Sequence, residues 1–255
     1  MNRNEGNELY LKAQKLALRD YREKMLAGQS PFLPVLDDIL QNVPVENQIP
    51  LGQADIPLNL LVGTKTTGRT AAFASNFMPL LDLKTEFASK WVNLCLSHLE
   101  EGIRDPIRCY EYMGRFYVQE GNKRVSVLKY FDATSILGNV IRIVPQYSED
   151  PAVQMYYEFM HYYPITQTYL LTFTKPGSYA RLQKILGKGP DEKWSDEDRV
   201  EIMSLYNWVE KAFLAHRGAR LSVTAGDVLL LLLRVYTMKE LADSSPSELS
   251  EKLDA

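Results

Sequence analysis

The chain has 255 residues, of which 45% are hydrophobic and 24% are charged, a composition typical of a globular protein with one large domain or two modest ones. Lysine and arginine together number 29 against 32 acidic residues, so no overall basic field attracts nucleic acid and DNA contact would need a local patch. The charged N-terminus lacks the apolar core of a signal peptide, and the longest apolar run, residues 228–233, is far shorter than the roughly 20 residues that span a bilayer. We therefore expect a soluble, cytoplasmic protein without membrane contact.

The first 62 residues predict two helices followed by strands. Apolar and charged positions alternate at near-helical spacing over residues 7–25, and Gly28 ends this pattern. A second, short helix is expected at about 34–41. Residues 48–62 carry two Ile-Pro-Leu units with apolar alternation, which predicts extended strands at the edge of a sheet.

Helix and strand patterns continue to residue 145. A polar loop, residues 63–70, precedes an amphipathic helix that ends near Gly102. The expected elements after the loop are a helix at 84–100, strands at 107–112 and 115–119, a helix from 121 to about 131, and a strand at 140–144.

Beyond residue 145 the pattern becomes aromatic and helical, with helices predicted near 150–162, 177–186, 195–215 and 224–242 and one strand-like interval at 168–174. The run 228–235 is hydrophobic around nearly the whole helix, which predicts a buried central helix. The acidic tail from residue 248 is expected to fray or to continue into a further region. Five aromatic side chains are expected to pack in a core or an interface rather than to stack on bases: Tyr156, Tyr157, Phe159, Tyr162 and Tyr163.

The predicted fold class is α+β. We expect an N-terminal helical extension (1–45), a small mixed-sheet domain (46–146) and a mostly α-helical C-terminal domain (147–255).

The turn Glu120-Gly121-Asn122-Lys123-Arg124 stands where a strand gives way to a helix. A glycine at this point lets the backbone turn tightly and leaves helical N–H groups pointing outward, where the helix dipole favours an anion such as phosphate. Lys123 and Arg124 carry the wrong charge for a helix start, which makes sense if they meet a bound anion. The alternative is a surface turn with two solvated cations.

The surrounding 98 residues supply context for this turn. In order they hold a strand, a polar loop with an arginine, a helix, the segment Glu101-Gly-Ile-Arg-Asp-Pro-Ile107, two strands, the segment Tyr117-Val-Gln-Glu-Gly-Asn-Lys-Arg-Val-Ser-Val-Leu-Lys-Tyr-Phe131, and an Ile/Val strand. This order resembles the N-terminal domain of the ParB family, which shares its fold with sulfiredoxins and free-serine kinases.

The resemblance implies that the Gly-x-x-Arg turn holds nucleotide phosphates and that the Gly-to-Pro-Ile segment helps to form the base pocket. Gly121 and Arg124 match the turn, together with Asn122 and Lys123, and Arg69 resembles the arginine of the earlier loop. The residues that match the second segment by position are Gly102, Asp105, Pro106 and Ile107.

The chain also departs from these families. Asn122 occupies the position of the reactive cysteine of sulfiredoxins, so without a thiolate there is no nucleophile for cysteine-sulfinate repair. Asn122 also replaces the usual ParB glutamate. No second phosphate motif and no helix-turn-helix is recognisable downstream, which argues against sliding-clamp behaviour.

The loop 63–70 is one residue away from a Walker A pattern, with arginine in place of the key lysine. A P-loop enzyme also needs an acidic strand for magnesium, and none is visible. We expect Lys65, Thr67, Arg69 and Thr70 either to form the second lip of the same phosphate pocket or to lie in a mobile surface loop.

Cysteines and histidines predict no further site. Cys95 and Cys109 have neither the density of a disulfide scaffold nor the spacing of a metal site, so they are expected to be buried thiols. His98, His161 and His216 lie far apart without a carboxylate or cysteine at ligand spacing, and no metal site is predicted.

These observations favour a regulatory nucleotide-binding module that takes a nucleoside triphosphate, CTP or ATP, with or without Mg2+. One alternative is a small-molecule phosphotransferase, like the free-serine kinases, with Glu120 or Asp105 as catalytic base. Another is a protein-interaction scaffold without a ligand. A homodimer through the helical C-terminal half is the candidate assembly, and DNA is a partner that the net charge does not indicate.

Overall fold

The computed structural model of this chain describes residues 2–215 and 221–254, except for the side chain of Arg69. The chain divides into two units, Met1–Gln146 and Tyr147–Ala255, which we call the N-terminal and C-terminal units. A five-stranded mixed sheet with helices in the first unit and helices in the second confirm the predicted α+β class. Within the described ranges, no helix is long and apolar enough to cross a bilayer. His216 lies outside them.

The N-terminal unit follows the predicted order of elements. Its helices are α1 (Arg3–Leu26), α2 (Leu36–Leu40), α3 (Glu86–Glu101) and α4 (Asn122–Tyr130), and its strands are β1 (Val45–Pro57), β2 (Leu61–Thr64), β3 (Ile107–Tyr112), β4 (Arg115–Glu120) and β5 (Ser135–Pro145). Two short 3-10 helices, Leu58–Leu60 and Thr67–Ala72, flank β2. The fifth strand begins earlier than residue 140, because its first residues pair with the end of β1, where Pro57 faces Ser135.

Strand order decides which loops meet. The sheet runs β1-β5-β3-β4-β2, with β3 antiparallel to β4 and parallel to β5. Because β3 and β4 are antiparallel, Arg108 near the start of β3 pairs with Glu120 at the end of β4. The residues that precede β3 therefore lie beside those that follow β4, which are the two segments that the sequence selects for the site.

Trp91 of α3 joins three helices in one layer. Its ring is fully buried and lies edge-on to Tyr10 of α1 and Tyr130 of α4, at 5.4 and 5.9 Å between centroids. The indole N–H donates to the hydroxyl of Ser126 in α4 at 2.9 Å. A buried aromatic ring of this size is worth about 3–5 kcal/mol against alanine, so Trp91 fixes the position of α4 and of the turn at its start.

A buried ion pair lies inside the sheet. Glu111 of β3 and Arg142 of β5 face each other in the parallel register, and the Arg142 guanidinium donates to the Glu111 carboxylate. The side chain of Glu111 is 0% exposed and that of Arg142 is 6% exposed. Glu111 also accepts a hydrogen bond from the amide of Gly114 at 2.8 Å, so the carboxylate ties the turn between β3 and β4 to the sheet.

The C-terminal unit is helical throughout its described elements. These are α5 (Pro151–Thr166), α6 (Ser178–Ile185), α7 (Asp196–Ala215), α8 (Ala225–Leu232), α9 (Met238–Ala242) and α10 (Pro246–Asp254). The aromatic side chains of α5 pack as expected, since Tyr156, Phe159 and Tyr162 are buried and Tyr162 stacks on Tyr179 of α6 at 5.3 Å between centroids.

Residues 168–174 form no strand, which corrects the strand-like interval expected there. Leu171 and Phe173 point inward, but the polar backbone groups bond to side chains rather than to a neighbouring strand. The hydroxyl of Thr224 donates to the Thr172 carbonyl at 2.6 Å, and the amide of Thr174 donates to the Asp227 carboxylate at 3.0 Å. The alternation of apolar and polar residues at 168–174 thus arises because one face of an extended connection is buried.

The predicted helix 224–242 is two helices, and the run 228–235 is not buried all round. Leu231 is 59% exposed and Val235 is 74% exposed. Helix α9 starts afresh because Thr237 and Glu240 form a capping box that satisfies the first amides of a new helix. The acidic tail forms α10 through Asp254, anchored by the fully buried Leu249.

Candidate functional site

Gly121 makes the tight turn between β4 and α4. Its φ is 111°, in the left-handed region, which a residue with a Cβ enters only at a cost. A Cβ at this position would also lie 2.5 Å from Cγ2 of Ile107, a side chain that is fully buried. Both the backbone angle and the close approach of β3 therefore require glycine.

The start of α4 offers backbone donors to a cavity. Helix geometry leaves the first amides without an intrahelical partner, and no side chain caps this helix. The cavity measures about 410 Å3, within the roughly 300–1,000 Å3 of small-molecule sites. It is lined by Phe73, Phe87, Lys90, Leu94, Asp105, Gln119, Glu120, Gly121, Asn122, Lys123 and Arg124.

Asn122 is the first residue of α4 and is 8% exposed. Its Oδ1 is buried and has no hydrogen-bond partner among the described residues. An acceptor in this state costs about 1–3 kcal/mol unless a donor reaches it. Asn122 is among the residues that line the cavity.

Arg124 clamps the two segments of the site together. Its Nη1 donates to the carbonyl oxygens of Asp105 and Pro106 at 2.9 and 2.7 Å, and its Nη2 lies 3.8 Å from the Glu120 carboxylate. Two of the five N–H donors of the guanidinium are thereby used on the turn before β3. The structure gives Arg124 a positioning role, in addition to the phosphate contact that the resemblance implies.

Three cations and two carboxylates face the cavity. Lys123 lies with Nζ 4.7 Å from the centre of the Phe87 ring, and Lys90 pairs with Glu86 at 2.6 Å. The hydrogen bond from Lys90, more than the field of Lys123, lowers the pKa of Glu86. The lining thus holds three cations and two carboxylates at the helix start, where the dipole of α4 favours an anion.

Two buried aromatic rings form a wall that the sequence did not single out. Phe73 and Phe87 meet edge-on at 5.2 Å between centroids, and both line the cavity. Phe87 and Lys90 were visible only as members of an amphipathic helix, and Phe73 follows the polar loop. No local pattern distinguishes a ring that faces a cavity from one that faces the core.

The polar loop does not supply the second lip through its described side chains. Lys65 binds the carboxylate of Asp37 and lies over the Tyr110 ring at 5.2 Å, and the hydroxyl of Thr70 donates to the carbonyl of Thr67 at 2.9 Å. None of Lys65, Thr67 and Thr70 lines the cavity. The side chain of Arg69 lies outside the described residues.

Of the remaining predicted residues, Glu120 lines the cavity, whereas Gly102 and Pro106 do not. Gly102 ends α3, and its amide donates to the His98 carbonyl at 2.9 Å. Pro106 presents its carbonyl to Arg124. The carboxylate of Glu120 is 63% exposed and lies 3.8 Å from both Arg108 and Arg124. Among the described residues, no group of three or more His, Cys, Asp and Glu side chains could hold a metal ion.

No protein-family model and no curated protein matches the sequence.

Proposed function

We propose that the N-terminal unit is a nucleotide-binding regulatory module of the ParB/sulfiredoxin type. The phosphates of a nucleoside triphosphate, CTP or ATP, bind the amides at the start of α4. Lys90 and Lys123 neutralise part of the phosphate charge. The base lies against Phe73 and Phe87. The resemblance of residues 48–145 to that superfamily supports this assignment.

One observation carries the proposal, namely that the uncapped start of α4 lines a cavity together with Asn122, whose buried Oδ1 lacks a hydrogen-bond partner among the described residues. The amides need an anion, whereas Oδ1 needs a donor. Inorganic phosphate satisfies the amides only. A nucleotide satisfies both groups, because its ribose hydroxyls donate and because adenine and cytosine carry an exocyclic amino group.

The test is a thermal-shift and calorimetric panel of CTP, ATP, GTP, UTP and ADP, with and without Mg2+, and with inorganic phosphate as the reference anion. We expect a nucleotide to raise the melting temperature more than phosphate does. Lys123→Ala should weaken nucleotide binding by about tenfold to hundredfold, the value of one charge-assisted hydrogen bond. Lys12→Ala, on the exposed face of α1, is the matched control and should bind normally.

Asn122→Ala separates binding from folding. Without nucleotide it removes a buried acceptor that lacks a partner, so the melting temperature should stay the same or rise. With nucleotide, the shift should shrink. If no nucleotide stabilises the wild-type protein and neither Lys123→Ala nor Asn122→Ala changes any response, the module is not nucleotide-binding, and a concentration-dependent oligomer in light scattering would then favour the scaffold.

A second candidate follows from the carboxylates of Asp105 and Glu120, which line the same cavity. In a small-molecule phosphotransferase one of them would accept the proton of a substrate hydroxyl while the hydroxyl oxygen attacks the terminal phosphorus, the bond to the β-phosphate oxygen breaks and the nucleoside diphosphate leaves. Phosphorylated product formed by the wild-type protein and lost in Glu120→Gln, with nucleotide affinity retained, would favour this reaction. Nucleotide binding without turnover on any hydroxylated substrate favours the regulatory module.

A further inference from the structure

An apolar groove lies between α6 and α8 in the C-terminal unit. One cavity, of about 520 Å3, is lined on its apolar side by Ile185, Val223, Val228, Leu230 and Leu231. A neighbouring cavity of about 710 Å3 shares Val223, Val228, Leu231 and Arg234 with it. The two cavities adjoin, because four residues line both, and each has the volume of a small-molecule site. We call the two together the groove.

The aliphatic floor of this groove faces solvent. Leu231 is 59% exposed, Ile185 39% and Val223 38%. A single exposed leucine needs no explanation, but several that line one concavity mark a binding surface. Burying their side chains in a ligand complex would recover hydrophobic free energy that the described residues leave unused.

Positive charge surrounds the groove, although acidic residues outnumber basic ones in this unit. Lys175, Arg181, Lys184 and Arg234 all line it. Arg181 is occupied, since it donates to the carbonyls of Pro176 and Gly177. The other three form no ion pair with any described residue.

Two carboxylates line the groove, Asp227 in the first cavity and Asp254 in the second. Asp227 accepts hydrogen bonds from the amides of Thr174 and Thr224 and from the Thr224 hydroxyl, at 3.0, 2.9 and 3.0 Å. It caps α8 and lies at that helix's first turn. Among the described residues, Asp227 forms no ion pair with Lys175, Lys184 or Arg234.

From the aliphatic floor and the unpaired cations, we propose that this groove binds a free, single-chain amphipathic anion of the fatty-acid class. The aliphatic chain lies along Val228 and Leu231. The carboxylate meets Lys184 or Arg234, where a charge-assisted hydrogen bond forms. A neutral apolar ligand would leave the cations without a partner, and a polar anion would leave the floor exposed.

Isothermal titration of the full chain with monomeric octanoate and laurate, below their micelle concentrations, tests the proposal. We expect laurate to bind and dodecylammonium, of equal chain length and opposite charge, to bind at least tenfold more weakly. Affinity should rise about fourfold for each added CH2 that the groove buries. Leu231→Gln, at a side chain that is exposed in the free protein, should reduce laurate affinity.

The double variant Lys184→Glu/Arg234→Glu should lose at least tenfold in laurate affinity and gain affinity for dodecylammonium. Lys211→Glu/Lys239→Glu, at exposed positions outside the groove lining, changes the net charge by the same amount and should behave as wild type. The proposal is overturned if the wild-type protein does not bind laurate, or if the double variant binds laurate with unchanged affinity. If the protein sediments with anionic phosphatidylglycerol vesicles but does not bind laurate, the proposal is also overturned, and the groove binds a membrane surface instead.

Discussion

Replacing Gly121 with alanine should destabilise the N-terminal unit severely, and the structure divides the cost into two parts. The backbone at φ 111° disfavours any residue with a Cβ by about 1–3 kcal/mol. The added Cβ also lies 2.5 Å from Cγ2 and 3.1 Å from Cβ of Ile107. Overpacking of this kind costs about 1–3 kcal/mol, which gives about 2–6 kcal/mol in total, a large share of the roughly 5–15 kcal/mol that stabilises a domain.

Gly114→Ala is the matched control for the backbone part. Gly114 also has a positive φ, 74°, but apart from its chain neighbours no atom lies within 4 Å of the position that an alanine Cβ would take, so only the backbone cost applies. The assay is urea unfolding, monitored by pulsed hydrogen–deuterium exchange of peptides from β4 and α4. These peptides report on the N-terminal unit alone. The difference between the two variants measures the clash with Ile107.

A second comparison isolates that clash. In an Ile107→Ala background the extra cost of Gly121→Ala should fall towards that of Gly114→Ala, because the contacting methyl group is gone. If Gly121→Ala costs no more than Gly114→Ala in the wild-type background, or if the Ile107→Ala background leaves its cost unchanged, the added Cβ does not clash with Ile107.

Three further predictions concern buried polar groups of the N-terminal unit. Glu111→Gln should lower the free energy of unfolding in urea by about 3–5 kcal/mol, because it removes the counter-charge that Glu111 gives the buried Arg142. Glu111→Met/Arg142→Met should lower it by less, and an equal loss of stability in the two variants would contradict this. Burial lowers the pKa of Lys129 from 10.5 to about 8, so between pH 8 and 10 the unfolded chain binds more protons than the folded one. The wild-type protein should therefore gain stability relative to Lys129→Met as the pH rises from 8 to 10, and a stability difference that does not change with pH would contradict this. Burial raises the pKa of Cys95 to about 11 and of Cys109 to about 12, so a thiol reagent at pH 8 should label neither until the chain unfolds, and rapid labelling of the native protein would show the thiols to be accessible.

Much of the fold follows from local pattern. The apolar spacing around Trp91 predicts α3, the turn residues at Gly121 predict the change from strand to helix, and burial of both cysteines follows from their elements. The strand-like pattern near Leu171 is misleading because period-two burial also arises in an extended segment that bonds to side chains. A long apolar run around Leu231 likewise fails to predict burial, since it does not reveal which faces find a neighbour.

Some features of the candidate site could likewise be predicted from local sequence, and others could not. Gly121, Asn122 and Lys123 could be selected from the sequence, because a helix start after a strand is a local event with local chemistry. The aromatic wall of Phe73 and Phe87 could not, and neither could the bonds from Arg124 to the turn before β3. Those contacts join segments that are far apart in the chain.

Local pattern is enough to predict the order of helices and strands in the N-terminal unit, because that order depends on neighbours within a few residues. The surroundings of the turn before α4 depend instead on contacts between distant segments. The order of the strands places the start of β3 beside the end of β4, and this neighbourhood makes Gly121 indispensable, turns Arg124 into a clamp and leaves Lys65 outside the cavity. Strand order depends on the packing of the whole sheet, which no local periodicity records.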